Sequence, residues 1–214
     1  MIFHATPLSS YSAKVRIVLC VKSVPHEERA PADGYRSASY RALVPMGTLP
    51  ALQDGDWVLS ESEAINEYLE EQYPQPAMLP GDPRARARIR FLCRFHDLYL
   101  EPKVRALFPH VRPAQRQAAQ VQALRQDIAQ RIAQLDAWVR PAPFLLTPAI
   151  SLADCGPLVT LPLASAVLAA CGEPLELPER LQAWLAHASA HPPVDQALRP
   201  WRQATDDWLR AAVS

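Results

Sequence analysis

Glycine is scarce in this chain of 214 residues, which carries six glycines against 22 prolines. Phosphate loops need clustered glycines, and neither G-x-G-x-x-G nor G-x-x-x-x-G-K-[ST] occurs. A basic surplus is also missing: 22 Lys+Arg face 22 Asp+Glu, which argues against nucleic acid as a partner. The four cysteines (Cys20, Cys93, Cys155, Cys171) form no C-x-x-C pair and suit a reducing compartment. The six histidines are scattered without Cys/His ligand spacing, so no metal is expected. A G-x-S-x-G elbow is absent, which leaves serine-hydrolase chemistry without support. The start, MIFHATPLSSYSAK, has neither a basic n-region nor an apolar h-region, so no secretory signal is read. One uncharged stretch, 155–172, is short, Ala-rich and broken by Pro157 and Pro162. It is expected as a buried core helix rather than a membrane span, with the protein cytoplasmic and without a membrane partner.

What is present is a globular composition, 49% hydrophobic and 21% charged. Residues 1–5 read as a strand, and the segment after Ser9, Ser10 and Ser12 reads as a helix with a stripe at Val15, Val18 and Leu19. A weak strand is expected at 26–29, and a loop or short irregular helix at 33–43. Residues 48–53 and 57–59 flank Asp54-Gly55-Asp56, the signature of a β-hairpin. A helix follows and ends before Pro74 and Pro76. From 84 onward every long segment has helical spacing: 84–108, 114–139, 151–171, 178–189 and 201–212, with prolines mostly at the boundaries. The expected fold class is α/β plus all-α: a domain over 1–76, a linker at 77–83 and a helical domain over 84–214.

Several side chains have a structural reading of their own. Ser60 and Glu63 have the spacing of a capping box, as do Ser151 and Asp154, whose loss should cost about 0.5–2 kcal/mol. Ser9 or Ser10 is placed to cap the first helix. Arg84, Arg86, Arg88, Arg90 and Arg94 spread around a helix and read as a solvated or dimer-facing surface.

Three local patterns carry a resemblance. Ser9-Ser10-Tyr11-Ser12-Ala13-Lys14-Val15-Arg16-Ile17 resembles the Ser-Ser-Cys-x-x-Arg-Val-Arg-Ile start of zeta-class (maleylacetoacetate isomerase-like) glutathione transferases. Val44-Pro45-Met46-Gly47-Thr48-Leu49-Pro50-Ala51-Leu52 resembles the family's Asn-Pro-x-Gly-x-Val-Pro-x-Leu, whose second proline is cis. Leu59-Ser60-Glu61-Ser62-Glu63-Ala64-Ile65 resembles its Leu-x-Glu-Ser-x-Ala-Ile. The resemblance implies a thioredoxin-like domain followed by an all-helical one. It further implies glutathione as co-substrate, a small hydrophobic electrophile, no metal, and a homodimer.

Residue by residue, the likeness assigns glutathione binding to Leu49, Pro50, Glu61 and Ser62. A hydroxyl at the first helix would stabilise the thiolate, with Ser9 preferred, Ser10 close behind and Tyr11 as a third option. Tyr11 stands where the zeta pattern has Cys, which weakens the isomerase assignment and places a phenol toward the substrate. Tyr99 and Lys103, beside His96 and Asp97, are expected with Tyr11 at the electrophile pocket. Three readings stay open: a transferase, a glutathione-dependent cis–trans isomerase, and a non-catalytic interaction or regulatory protein.

Overall fold

The computed structural model describes residues 1–213. Its first domain is built on a four-stranded sheet of order β2-β1-β3-β4. β1 (Ile2–His4) runs into a serine-rich turn, and α1 (Ser10–Val21) crosses over to β2 (Glu27–Arg29), which pairs parallel to β1. After α2 (Ala38–Leu43), β3 (Ala51–Asp54) returns antiparallel to β1 and turns at Gly55-Asp56 into β4 (Trp57–Ser60). Gly55 takes φ +61° at the first position of this two-residue loop, where such hairpins favour glycine, while Asp54 still pairs with Trp57 in the ladder. α3 (Ser62–Gln72) closes the domain.

Alternation along β3 divides the core. Leu52 faces the main cluster with Phe3, Val15, Leu19, Ile65 and Leu69 from β1, α1 and α3, while Ala51 faces a separate small cluster with Tyr40 and Val44 around α2. The helices therefore cover both faces of the sheet, α1 and α3 on one side and α2 on the other.

The segment leading into the second domain is pinned. Glu70 accepts from the main-chain N–H of Met78 and of Leu79, and the fully buried Lys22 ammonium binds Glu70 and the carbonyls of Tyr73 and Pro76. The helices of that domain are α4 (Pro83–Phe95), α5 (Glu101–Arg105), α6 (Ala118–Trp138), α7 (Leu152–Ala170), α8 (Glu179–Ser189) and α9 (Pro192–Val213). α7 is long and apolar enough to span a membrane by composition, but its residues form the centre of the helical core. α1 packs on both α7 and α9, so one continuous apolar core joins the two domains.

Two helical expectations need correction. The stretch 84–108 is not one helix: α4 passes through a π-helical turn at His96–Leu100 into the short α5, which begins with Glu101-Pro102. The last helix starts at Pro192, nine residues before the expected 201, and runs through Pro200. Its buried stripe Val194, Ala197, Leu198, Trp201 and Thr205 keeps helical spacing across the proline, so packing outweighs the lost main-chain bond.

The box at α7 is present and exceeds a simple cap. Asp154, fully buried, accepts from the N–H and hydroxyl of Ser151, the N–H of Leu145 and the indole N–H of Trp184, at 2.8–2.9 Å. It thus ties the loop before α7 to α8. The expected Ser60–Glu63 box does not form. Ser60 is still in β4, the helix starts at Ser62, and Glu63 turns inward to Lys14 at 2.7 Å.

Candidate functional site

Sheet register brings three separate segments to one end of the sheet. His4 at the end of β1 is opposite Ala51 at the start of β3, and Ala51 is opposite Ser60 at the end of β4. With strands about 4.8 Å apart, the turn after β1, the Leu49-Pro50 bond before β3 and Glu61-Ser62 after β4 lie side by side. Leu49-Pro50 is cis, and neither the N–H nor the C=O of Leu49 has a partner among the described residues. Those two groups present a short extended edge to a peptide-like ligand.

Glu61 adopts φ +74°, a left-handed conformation unusual for a residue with a side chain, directly before α3. Its carboxylate is exposed, and among the described residues neither it nor the hydroxyl of Ser62, buried at the first position of α3, has a side-chain partner. The first N–H groups of an 11-residue helix open here, a favourable setting for a carboxylate.

The three hydroxyls at the start of α1 are not equivalent. Ser9 caps the helix: its Oγ accepts from the Ser12 N–H at 3.1 Å, which leaves the hydroxyl proton free to donate. Ser10 is buried and donates to Glu101 at 3.0 Å, while accepting from Arg105 at 3.0 Å. Tyr11 donates to the other Glu101 oxygen at 2.8 Å. Burial, then the Glu101 charge and this hydrogen bond, push the phenol far above its ordinary range and keep it protonated. Glu101 itself is buried and paired with Arg105 at 2.5 Å. Ser10 and Tyr11 have therefore committed their protons to Glu101, so of these three Ser9 alone has one to offer, while the unpartnered Ser12 hydroxyl is fully buried.

The family described as "Glutathione S-transferase, N-terminal domain" matches residues 3–77, the span that holds all three segments. Residues 3–77 therefore form a glutathione S-transferase N-terminal domain. Among similar proteins, a stringent starvation protein A homolog of Coxiella burnetii is 44% identical over 92 residues, 43% of this chain and 44% of that protein. A maleylpyruvate isomerase of a Ralstonia species is 45% identical over 97 residues, 44% of this chain and 46% of that protein. The chain thus spans less than half the length of these two curated relatives. The structural likeness is broader. A maleylacetoacetate isomerase from Anaeromyxobacter dehalogenans, crystallised with dicarboxyethyl glutathione and citrate, superposes with TM-score 0.74 at 28% identity, covering 94% of this chain and 91% of that one.

Within this transferase fold, a cavity of about 330 Å³ opens beside the start of α1, lined by Leu8, Phe108, Leu163, Trp208 and, at its rim, Arg112 and Gln115. Arg105 links it to the serine turn, with its guanidinium over both the Tyr11 ring (5.2 Å) and the Phe108 ring (5.5 Å). Tyr99 and Lys103 do not line this cavity. Both turn toward α6, where Tyr99 lies under Arg131 at 5.7 Å and Lys103 pairs with Asp127 at 2.7 Å. Leu8, Phe108 and Trp208 were missed in the sequence, because the pocket draws single residues from segments 200 positions apart.

Behind the site runs a buried polar chain. Lys14 bridges Glu63 (2.7 Å) and Asp97 (2.8 Å), Asp97 bonds His96 (2.8 Å), and His96 bonds Thr160 of α7 (2.6 Å). Burial alone would lower the Lys14 pKa, but Glu63 and Asp97 more than offset it and hold the ammonium charged. Burial pushes Asp97 up, while the His96 bond and the Lys14 charge outweigh it and hold the carboxyl at about 2. The chain clamps α1, α3 and the helical domain together beneath Ser9.

His187 and His191 stand four apart at the end of α8, a spacing that the sequence reading passed over. Their rings pack on Phe144 at 5.4 and 5.7 Å, and no cluster of three metal-ligating side chains occurs among the described residues.

Proposed function

We propose that this chain is a glutathione transferase that uses Ser9 to stabilise the thiolate. One observation carries the reading: the spare proton of Ser9, the unpaired main chain of Leu49 and the open start of α3 share one end of the sheet, next to an apolar cavity. These groups fit glutathione by their chemistry. The Leu49 N–H and C=O would pair with its cysteinyl main chain, Ser62 and the first N–H groups of α3 would hold the γ-glutamyl carboxylate, and Glu61 would face the ammonium. Pro50 shapes the edge on which Leu49 is presented.

Glutathione supplies the nucleophile. The Ser9 hydroxyl and the first N–H groups of α1 favour the ionised sulfur, so the thiol proton passes to solvent near neutral pH. The cavity holds the electrophile against that sulfur, and on an aryl halide a C–S bond forms as halide leaves. The rate gain comes from thiolate stabilisation and proximity, with no acid–base residue required.

Calorimetric titration with glutathione tests the reading. Wild type is expected to bind at sub-millimolar to millimolar concentration, and Ser62→Ala to weaken binding about tenfold, a loss of one charge-assisted hydrogen bond. Absence of binding in the wild type would refute it.

The names of the similar isomerases favour a second reading, reversible addition of the thiolate to a conjugated diacid, which turnover of maleylpyruvate rather than aryl halides would identify. A non-catalytic role is the third, and glutathione binding with measurable turnover would exclude it. A homodimer belongs to the proposal by likeness to the family. Three exposed aromatics, Trp57, Phe91 and Trp138, support it: Trp57 packs on Tyr68 and Phe91 on Trp138, and Tyr68 and Phe91 adjoin in sequence the ion-paired Glu67 of α3 and Arg90 of α4. Sedimentation would report the assembly.

A further inference from the structure

Charge is distributed unevenly around the cavity. Its walls are aromatic and aliphatic, with Phe108 and Trp208 packed at 4.9 Å and Leu8 and Leu163 beside them, and no carboxylate lines it. Three arginines lie along the segment that forms its floor, and two of them are spent. Arg105 is neutralised by the buried Glu101 at 2.5 Å. Arg116 donates to the carbonyls of His110, Val111 and Ala170, so its guanidinium serves to pin the turn that follows α5. Arg112 sits on that pinned turn, at the cavity rim, and its guanidinium makes no hydrogen bond or ion pair among the described residues. The cavity therefore has an apolar body, a reactive end at Ser9 next to Leu8, and a single uncompensated positive charge on the turn beyond Phe108.

We infer that the electrophile is an apolar, ring-sized molecule carrying an anionic group, a carboxylate or sulfonate, that Arg112 recognises. This rests on the glutathione-transferase reading of the site and narrows its substrate class. A cavity of about 330 Å³ takes one ring with substituents. The aromatic walls receive the ring, and the guanidinium fork receives two oxygens in a plane. Because the turn is held by Arg116, little main-chain ordering accompanies binding. Arg112 remains open to water, so screening limits the preference to about tenfold rather than the hundredfold of an enclosed ion pair.

Conjugates that differ only in charge test this without relying on turnover. Calorimetry would compare S-(4-carboxybenzyl)glutathione, S-benzylglutathione and glutathione on the wild type, Arg112→Ala and Arg112→Lys. In the wild type the carboxylated conjugate should bind about tenfold tighter than the benzyl one. Arg112→Ala should abolish that advantage and leave glutathione and S-benzylglutathione within twofold of wild type, while Arg112→Lys retains part of it. Equal binding of the two conjugates to wild type, or a preference that survives in Arg112→Ala, would overturn the inference while glutathione binding left the parent reading standing. Failure of glutathione and both conjugates to bind would overturn both.

Discussion

Replacing Asp154 with alanine is expected to destabilise the protein by about 3–5 kcal/mol, well beyond the ~0.5–2 kcal/mol of an ordinary helix cap. The magnitude follows from its four partners. The carboxylate accepts from the Leu145 N–H, the Trp184 indole and both groups of Ser151, all within a fully buried site. Alanine strands those donors, and each buried unpaired donor costs about 1–3 kcal/mol. Part is recovered, because burial pushes the Asp154 carboxyl up and removing it relieves that desolvation. For a chain of this length each kcal/mol lowers Tm by about 2–4 °C, so a drop of roughly 6–20 °C should appear. Urea unfolding followed by circular dichroism gives the free energy, and a cycle with Trp184→Phe isolates the link to α8. The folded variant should bind glutathione normally, since Asp154 lies away from the sheet end. A loss below about 2 kcal/mol, or no coupling to Trp184, would refute the claim that this residue ties the loop and α8 to α7.

Acid stability should depend on Asp97. Its folded pKa of about 2 lies below the ~3.9 of an unfolded aspartate, so its contribution is complete above that value and fades as pH falls toward 2. The amount is roughly 2–3 kcal/mol, and Asp97→Asn should flatten the fall in urea midpoint between about pH 5 and 2. Gly156→Ala should also destabilise, although alanine is the better helix former. A Cβ there would sit 2.6 Å from the His96 ring, which is fixed between Asp97 and Thr160, and a net loss of about 1–3 kcal/mol is expected in thermal unfolding. An unchanged Tm would mean that the His96 ring is free to move.

Features written in neighbouring residues were legible in the sequence, and features made by distant ones were not. The Asp-Gly hairpin, the strand–helix–strand start and the Ser151–Asp154 pair each depend on spacing within a few positions, and each is present. The partner of Glu63 proved to be Lys14, five elements earlier in the chain, and this overrode a local capping pattern. Likewise the roles of Ser9, Ser10 and Tyr11 separate only because Glu101, about 90 positions away, takes two of the three protons. The Glu101–Arg105 spacing of four was visible as a helical ion pair, but nothing local said that it would be buried against α1. Pro200 misled in the other direction: the buried stripe of α9 continues across it, and that periodicity outranks the proline as a signal.

Ultraviolet titration of the thiol of bound glutathione tests the central claim most directly. With wild type, Ser10→Ala and Tyr11→Phe, the thiolate absorbance should appear well below the ~8.5 of a free thiol. In Ser9→Ala the midpoint should rise by about one unit or more, with glutathione still bound. A midpoint unchanged in Ser9→Ala, or one that rises in Tyr11→Phe instead, would contradict the assignment of the thiolate to Ser9.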